Sequence, residues 1–288
     1  MTLLTNWNDE IRFEVADDHL KRPAQVRDVE AIIRRANEQN QEGLTVTVEG
    51  GVTMRQLYAH LRELSLQPPV VLEYGNFQIG AISGTHANDT AIRRSVQFLS
   101  FVLSVMLITP TGEVMEISES RNAEYLPAIR SHFGMLGVIC EIIPYSRYTI
   151  DPYDRAVIYT EDNPNFDFYD WVFLEAQWCE MVQAFLQLSR RFQQQHGFIL
   201  PLPALIYFIE QDQASLLLRS RSVNMMAIDP LFPDPKDPTW KEFRLVFNKI
   251  AMTHGGIPHI NKTRDGAINH FAQAHDPDSI RHFLQIRQ

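Results

Sequence analysis

Hydrophobic positions along the chain follow two different spacings, which predict a mixture of strands and helices. Leu44, Val46 and Val48 occupy every second position between polar residues, the pattern of a half-buried strand. In segments 26–36 and 178–196 the apolar residues recur three or four positions apart, which predicts amphipathic helices. Both types of element are therefore expected in this chain.

Turn and capping residues place further elements in the first half of the chain. Segments 98–109 and 113–117 are rich in apolar residues and flank a proline- and glycine-containing turn at 110–112, which predicts a hairpin. Thr53 and Gln56 have the spacing of a capping box, in which each side chain satisfies a backbone N–H at a helix start. A helix is therefore expected immediately after Thr53.

The second half of the chain also contains both strand and helix patterns. Segments 200–210 and 215–227 are predicted to be strands of a second sheet. Asp237 and Asp276 each precede a proline, a combination that favours a helix start. The 178–196 helix is expected to carry these apolar residues on one side: Met181, Val182, Phe185, Leu186 and Phe192. The fold class predicted from these elements is α+β.

Composition indicates a globular protein and excludes several classes of partner. Of the 288 residues, 45% are hydrophobic, and the net charge of −9 argues against nucleic acid or an anionic membrane surface. Cys140 and Cys179 provide no disulfide framework, which favours a reducing compartment. No secretory signal or membrane-length apolar run is visible, so a cytoplasmic protein is expected. The spacing of the histidines predicts no metal site.

The stretch 75–90, GNFQIGAISGTHANDT, is the strongest candidate for binding chemistry. It contains Gly75, Gly80 and Gly84 among small residues, a composition that gives little to a core. Glycines allow a ligand to approach bare peptide groups, and successive N–H groups in such a loop can hold a phosphate. A glycine-punctuated loop between two strands is the alternative interpretation.

Two strings resemble flavin-binding segments of the FAD-linked oxidases with a vanillyl-alcohol-oxidase (PCMH-type) domain, nearest to the aldonolactone and alditol oxidases. GAISGTHAND, at 80–89, resembles the segment that lines the flavin and its diphosphate, and FGMLGVI, at 133–139, resembles a strand along the FAD adenosine. A buried strand entered through a glycine turn is a compatible interpretation of the second string. The resemblance implies the following cofactor-binding residues: Gly80, Ala81, Ser83, Gly84, Thr85, His86, Gly137, Val138 and Ile139.

A third string, GGIPHINK at 255–262, resembles an active-site segment of the same oxidases and implies His259 and Lys262 as catalytic residues. A fixed ammonium at Lys262 would stabilise the negative charge that develops on a reduced flavin ring. His259 would orient a substrate hydroxyl or accept its proton. The alternative is a helix C-cap glycine pair followed by a surface lysine.

The resemblance implies a FAD-binding domain over residues 1–150, followed by a smaller α+β substrate domain over 151–288, with FAD between them. The implied activity is oxidation of a CH–OH group in a sugar lactone, a sugar alcohol or a related hydroxyl substrate, with dioxygen as one electron acceptor. The alternative is a shortened family member without bound flavin, which acts as a binding protein or is inactive.

Two segments of the family pattern are absent from this sequence: a G-x-G-H-S loop, which shares the diphosphate and often bonds covalently to flavin, and a tail after the final helix. We therefore expect FAD to be held without a covalent bond through that loop. Loss of several charge-assisted hydrogen bonds, each worth about 1.5–3 kcal/mol, predicts weak binding.

Overall fold

The computed structural model describes residues 2–5, 12–15, 44–63, 68, 70, 72, 74–88, 97–146, 166–202, 204–265 and 268–288. They divide into two compact units. The glycine unit comprises the described residues of 23–162, 209–223 and 276–288, and the lysine unit comprises those of 1–22, 163–208 and 224–275. The predicted helix at 26–36 and the predicted domain boundary at 150/151 both lie outside the described residues, and both remain predictions.

The described elements mix short strands with helices of very different lengths. The strands are β1 (Thr2–Thr5), β2 (Arg12–Val15), β3 (Leu44–Thr45), β4 (Val48–Glu49), β5 (Val102–Ile108), β6 (Val114–Ser118), β7 (Val138–Ser146), β8 (Asp167–Phe168), β9 (Trp171–Leu174), β10 (Leu205–Ile209), β11 (Met225–Asp229), β12 (Leu231–Phe232) and β13 (Ile257–Pro258). The α-helices are α1 (Met54–Glu63), α2 (Ile79–Ser83), α3 (Leu126–Ile129), α4 (Trp178–His196), α5 (Pro238–Thr253), α6 (Ile268–Ala274) and α7 (Pro277–Arg287). This content agrees with the predicted α+β class.

The glycine unit is built on an antiparallel sheet in the order β3-β7-β5-β6, with β4 also paired to β7. The predicted hairpin is confirmed as β5–β6, with Ile108 opposite Val114. Val46 and Val48 are both buried, as their alternation predicts, although the strand is split into β3 and β4. The central strand β7 therefore contacts every part of the sheet except β6.

The capping signals in the sequence are confirmed at three helix starts. At α1 the Thr53 backbone N–H donates to Gln56 Oε1 at 2.9 Å, and the Gln56 N–H donates to Thr53 Oγ1 at 3.3 Å. At α5 the Asp237 carboxylate accepts from the Trp240 N–H at 2.7 Å, and Asp276 does the same at α7. Each side chain satisfies an N–H group that the helix itself leaves without a partner.

The predicted strand at 215–227 is wrong over its first part. Residues 215–223 form turns, and the strand β11 begins only at Met225. The reason is a set of contacts with a distant part of the glycine unit: the Leu216 N–H donates to the Pro127 carbonyl at 2.9 Å, and Ser215 Oγ donates to the Arg130 carbonyl. Apolar residues in this segment are thus buried by non-local contacts rather than within a sheet.

The lysine unit packs two long helices, α4 and α5, beside the sheet β10-β11-β9-β13. Its core is rich in aromatic side chains from all three elements, including Trp171, Phe173, Phe185, Phe192, Trp240, Phe243 and Phe247. The predicted helix 178–196 is confirmed and ends at Gly197, whose φ of 65° is a left-handed cap. Leu186 does not share the buried side with Phe185 and Phe192: it is 47% exposed, and Leu188 occupies the core instead. Within the described ranges, no helix is long and apolar enough to cross a bilayer.

Candidate functional site

The glycine stretch is partly helical rather than a loop throughout. Residues Ile79–Ser83 form α2, and Ser83 Oγ donates to the Ile79 carbonyl at 2.8 Å. Ile79 and Ile82 are buried, and their three-residue spacing places both on the inner side of a helical turn. The predicted open loop is therefore corrected to a short helix followed by the turn at 84–86.

Gly80 allows α2 to lie directly against the sheet backbone. The Gly80 N–H donates to the Gly50 carbonyl at 2.9 Å. A Cβ at position 80 would lie 3.0 Å from that oxygen and 3.2 Å from the carbonyl oxygen of Ile139. The missing side chain thus brings two of the predicted cofactor-binding segments, 80–86 and 137–139, side by side.

Gly84 holds the other end of the stretch against His132. A Cβ at Gly84 would lie 2.8 Å from His132 Nε2, and the Phe133 N–H donates to the Gly84 carbonyl at 2.8 Å. His132 is buried, and burial lowers its pKa to about 4, so the ring is neutral near pH 7. Sequence reasoning missed His132, because no local pattern distinguishes it from other histidines.

The nine predicted cofactor-binding residues differ in exposure. Five are accessible to solvent: Gly80, Ala81, Thr85, Gly137 and Val138. Four are buried: Ser83, Gly84, His86 and Ile139. His86 Nε2 lies 2.7 Å from the Leu217 carbonyl oxygen, and its ring meets Phe133 edge to face. The accessible residues expose backbone and small side chains, which fits a nucleotide cofactor lying against them, whereas the buried residues shape the surface from within.

In the lysine unit, the GGIPHINK string forms a turn and an edge strand. Gly255 has a φ of 65°, a backbone conformation that favours glycine. A Cβ at Gly256 would lie 2.6 Å from Phe173 Cε1, so packing favours glycine at that position. β13 then pairs with β9 through Pro258 and Trp171. This pairing fixes the position of the two residues predicted to be catalytic, which follow it directly.

His259 is buried and bonded through its backbone and its ring. Its N–H lies 2.8 Å from Thr263 Oγ1 and 3.2 Å from the Asp170 carbonyl oxygen. His259 Nδ1 accepts from the Asn261 N–H at 3.1 Å. Because Nδ1 is an acceptor, a neutral His259 carries its proton on Nε2.

Lys262 forms a charged cluster with two buried aspartates. Its Nζ lies 2.6 Å from Asp229 Oδ2 and 3.8 Å from Asp170 Oδ2, and 5.3 Å from the centre of the Phe168 ring. The lysine side chain is 29% exposed, so it is neither fully buried nor a solvated surface group. Burial raises the pKa of Asp229 to about 6; Asp170 raises it as well, while Lys262 lowers it.

Sequence reasoning missed both aspartates. Asp229 ends the apolar strand β11, and Asp170 immediately precedes the apolar strand β9. Burying a carboxylate at the end of an apolar strand costs free energy unless the carboxylate is paired. An acidic residue beside an apolar strand is therefore a sequence signal that could have identified both aspartates. Within the described residues, His, Cys, Asp and Glu side chains form no group of three or more that could hold a metal ion.

Comparisons with known proteins match part of the chain. Residues 26–118 match the family model described as a FAD binding domain. Over 97 residues the chain is 32% identical to L-gulonolactone oxidase of Bos taurus, covering 34% of this chain and 22% of that protein. It is 29% identical over 110 residues to the Mus musculus enzyme, covering 38% and 25%, and 28% identical over 112 residues to mitochondrial L-galactono-1,4-lactone dehydrogenase of Arabidopsis thaliana, covering 39% and 18%.

The family match confirms a FAD-binding domain over residues 26–118, and the relatives support its aldonolactone-oxidase-like character. FAD, the cofactor that was predicted, is the cofactor of this domain type. The chain spans about a quarter or less of the length of these relatives. His259 and Lys262 lie outside residues 26–118, and their roles, like those of the individual cofactor-binding residues, remain predictions.

Proposed function

We propose that this chain contains the FAD-binding part of an oxidoreductase that acts on a CH–OH group of a sugar lactone, a sugar alcohol or a related hydroxyl compound. The observation that carries the proposal is the contact between segments 80–86 and 137–139, which both resemble flavin-binding segments. The match of residues 26–118, which include segment 80–86, to a FAD binding domain also supports it. The relatives' names support a lactone as substrate.

In this proposal, FAD lies against the accessible residues Gly80, Ala81, Thr85, Gly137 and Val138. When bound, FAD would supply a hydride acceptor for the carbon that bears the substrate hydroxyl, and the hydroxyl proton would leave to water. The small side chains allow the cofactor to approach the backbone closely. The neutral His132 and the buried Gly84 hold the shape of that surface without adding a charge to it.

His259 and Lys262 are the proposed catalytic residues. His259 Nε2 carries the proton of the neutral ring and is the atom that would orient the substrate oxygen. The Lys262 ammonium, held by Asp229, would supply a fixed positive charge where negative charge develops. Both residues lie in the turn that follows β13, where the Lys262 N–H donates to the His259 carbonyl at 3.3 Å.

The test is anaerobic reduction of the FAD-loaded protein by L-gulonolactone or L-galactono-1,4-lactone. We expect substrate to bleach the visible absorbance of the bound flavin. The Lys262→Met variant should bleach at least about tenfold more slowly, the effect of losing one charged interaction in the transition state. FAD-loaded protein that is not reduced by either lactone or by sugar alcohols would contradict the proposed reaction. Protein that never takes up FAD would instead favour a flavin-free binding protein.

A further inference from the structure

Asp229 holds the Lys262 ammonium at a defined point on the lysine unit. Its Oδ2 accepts a hydrogen bond from Lys262 Nζ at 2.6 Å, and its Oδ1 accepts from the Tyr169 N–H at 2.9 Å. The carboxylate is thus fixed at both oxygens, one by the main chain and one by the lysine. A bond of this length between charged groups is stronger than a neutral hydrogen bond and has a defined geometry.

Two buried carboxylates lie near the Lys262 ammonium. Asp229 and Asp170 are both fully buried, whereas the single ammonium of Lys262 is 29% exposed. The contact with the buried Asp229 carboxylate favours keeping that ammonium charged, because a nearby opposite charge stabilises the charged form. The Phe168 ring, 5.3 Å from Nζ, also favours the charged form.

The distances assign different roles to the two aspartates. Asp229 contacts Nζ directly, whereas Asp170 Oδ2 lies 3.8 Å from it, beyond hydrogen-bond range. The backbone oxygen of Asp170 accepts from Thr263 Oγ1 at 2.6 Å, so this residue also supports the turn that carries Lys262. Asp229 is therefore the aspartate that holds the ammonium by direct contact.

We propose that Asp229 is a positioning residue that holds Lys262 charged and in place, with Asp170 adding to the field without bonding to Nζ. This inference rests on the proposed function in one respect: the catalytic role of Lys262 comes from that function. The contact itself belongs to the lysine unit and needs neither FAD nor substrate.

The test is competitive acylation of lysines with acetic anhydride at one fixed pH, read by peptide mass spectrometry. Only the neutral amine reacts, so labelling reports how strongly Lys262 is held as an ammonium. Lys249, an exposed lysine of α5, serves as the internal reference in every sample. In Asp229→Asn we expect labelling of Lys262 relative to Lys249 to rise about tenfold, the effect of losing a hydrogen bond between charged groups.

Asp170→Asn is the matched control, since it removes an equally buried charge at the longer distance. We expect its relative labelling of Lys262 to stay within about twofold of the wild type, because the Asp229 contact remains. The proposal is overturned if Asp229→Asn leaves the labelling unchanged, or if Asp170→Asn raises it as much as Asp229→Asn does. If Asp229→Asn does not fold, as judged by circular dichroism, Asp170→Asn alone decides. Labelling of Lys262 within about twofold of the wild type, or lower, supports the proposal, and a larger rise refutes it. The labelling experiment involves neither FAD nor substrate, so a negative result would not bear on flavin reduction. The two proposals are therefore tested separately.

Discussion

Replacing Gly137 with alanine is expected to destabilise the glycine unit by about 3–5 kcal/mol. Gly137 has a φ of 142°, a conformation that alanine adopts only with strain, and its Cβ would overlap the carbonyl group of Ile108. The overlap is with the backbone of β5, which is paired to β7 on one side and β6 on the other. The strand therefore has little freedom to move away.

Gly134→Ala is the matched control for this prediction. Gly134 also has a positive φ, 77°, but a Cβ there meets no atom within 4 Å. Only the cost of placing alanine at a positive φ remains, and we expect the free energy of unfolding to fall by about 1–2 kcal/mol. Urea unfolding, together with hydrogen exchange of the β5 and β7 peptides, measures both variants. Equal losses in the two variants would show that the contact with Ile108 is not what requires a glycine.

Replacing Asp167 with asparagine is expected to cost the lysine unit about 3–5 kcal/mol, the usual effect of breaking a buried ion pair. Asp167 accepts from Arg244 Nη1 at 2.5 Å and from Trp240 Nε1 at 2.6 Å, and it also pairs with Arg264. Arg244 is almost fully buried, and Asp265 provides its other carboxylate contact at 3.2 Å. Loss of the Asp167 charge would remove a carboxylate contact from both Arg244 and Arg264.

Glu242→Gln makes the same chemical change on the same unit, at an exposed position of α5. We expect its effect on the free energy of unfolding to stay within about 0.5 kcal/mol. Tryptophan fluorescence during urea unfolding follows both variants, and the Trp240 contact makes it directly sensitive to position 167. A small effect at Asp167 would mean that the buried network contributes little net stability.

Local rules were sufficient for much of the fold. The Thr53–Gln56 capping box, the Asp237 and Asp276 caps and the Gly197 stop each act within four residues, so the sequence alone identifies them. The β5–β6 hairpin is equally local. Sequence reasoning failed at 215–223, where burial depends on contacts with Pro127 and Arg130 that no local pattern contains.

The candidate site shows the same division. The sequence located Gly80, Gly84 and Gly137, but not the atoms that require glycine there, because those atoms come from other parts of the chain. It also located Lys262 without its partner Asp229, which lies 33 positions earlier. A residue type can be predicted from a string, whereas the partner that fixes its charge depends on how the sheets pair.

The most direct test of the flavin-binding claim is a titration of the purified chain with FAD, followed by the change in flavin absorbance. Val138 is 66% exposed beside Gly137, and Val114 is 58% exposed two strands away on β6. An added carboxylate repels the FAD diphosphate only if it lies near the cofactor. We predict weak, saturable and non-covalent binding, reduced at least about tenfold in Val138→Asp and unchanged in Val114→Asp. A chain that ignores added FAD, or binding that both variants retain in full, would contradict this account.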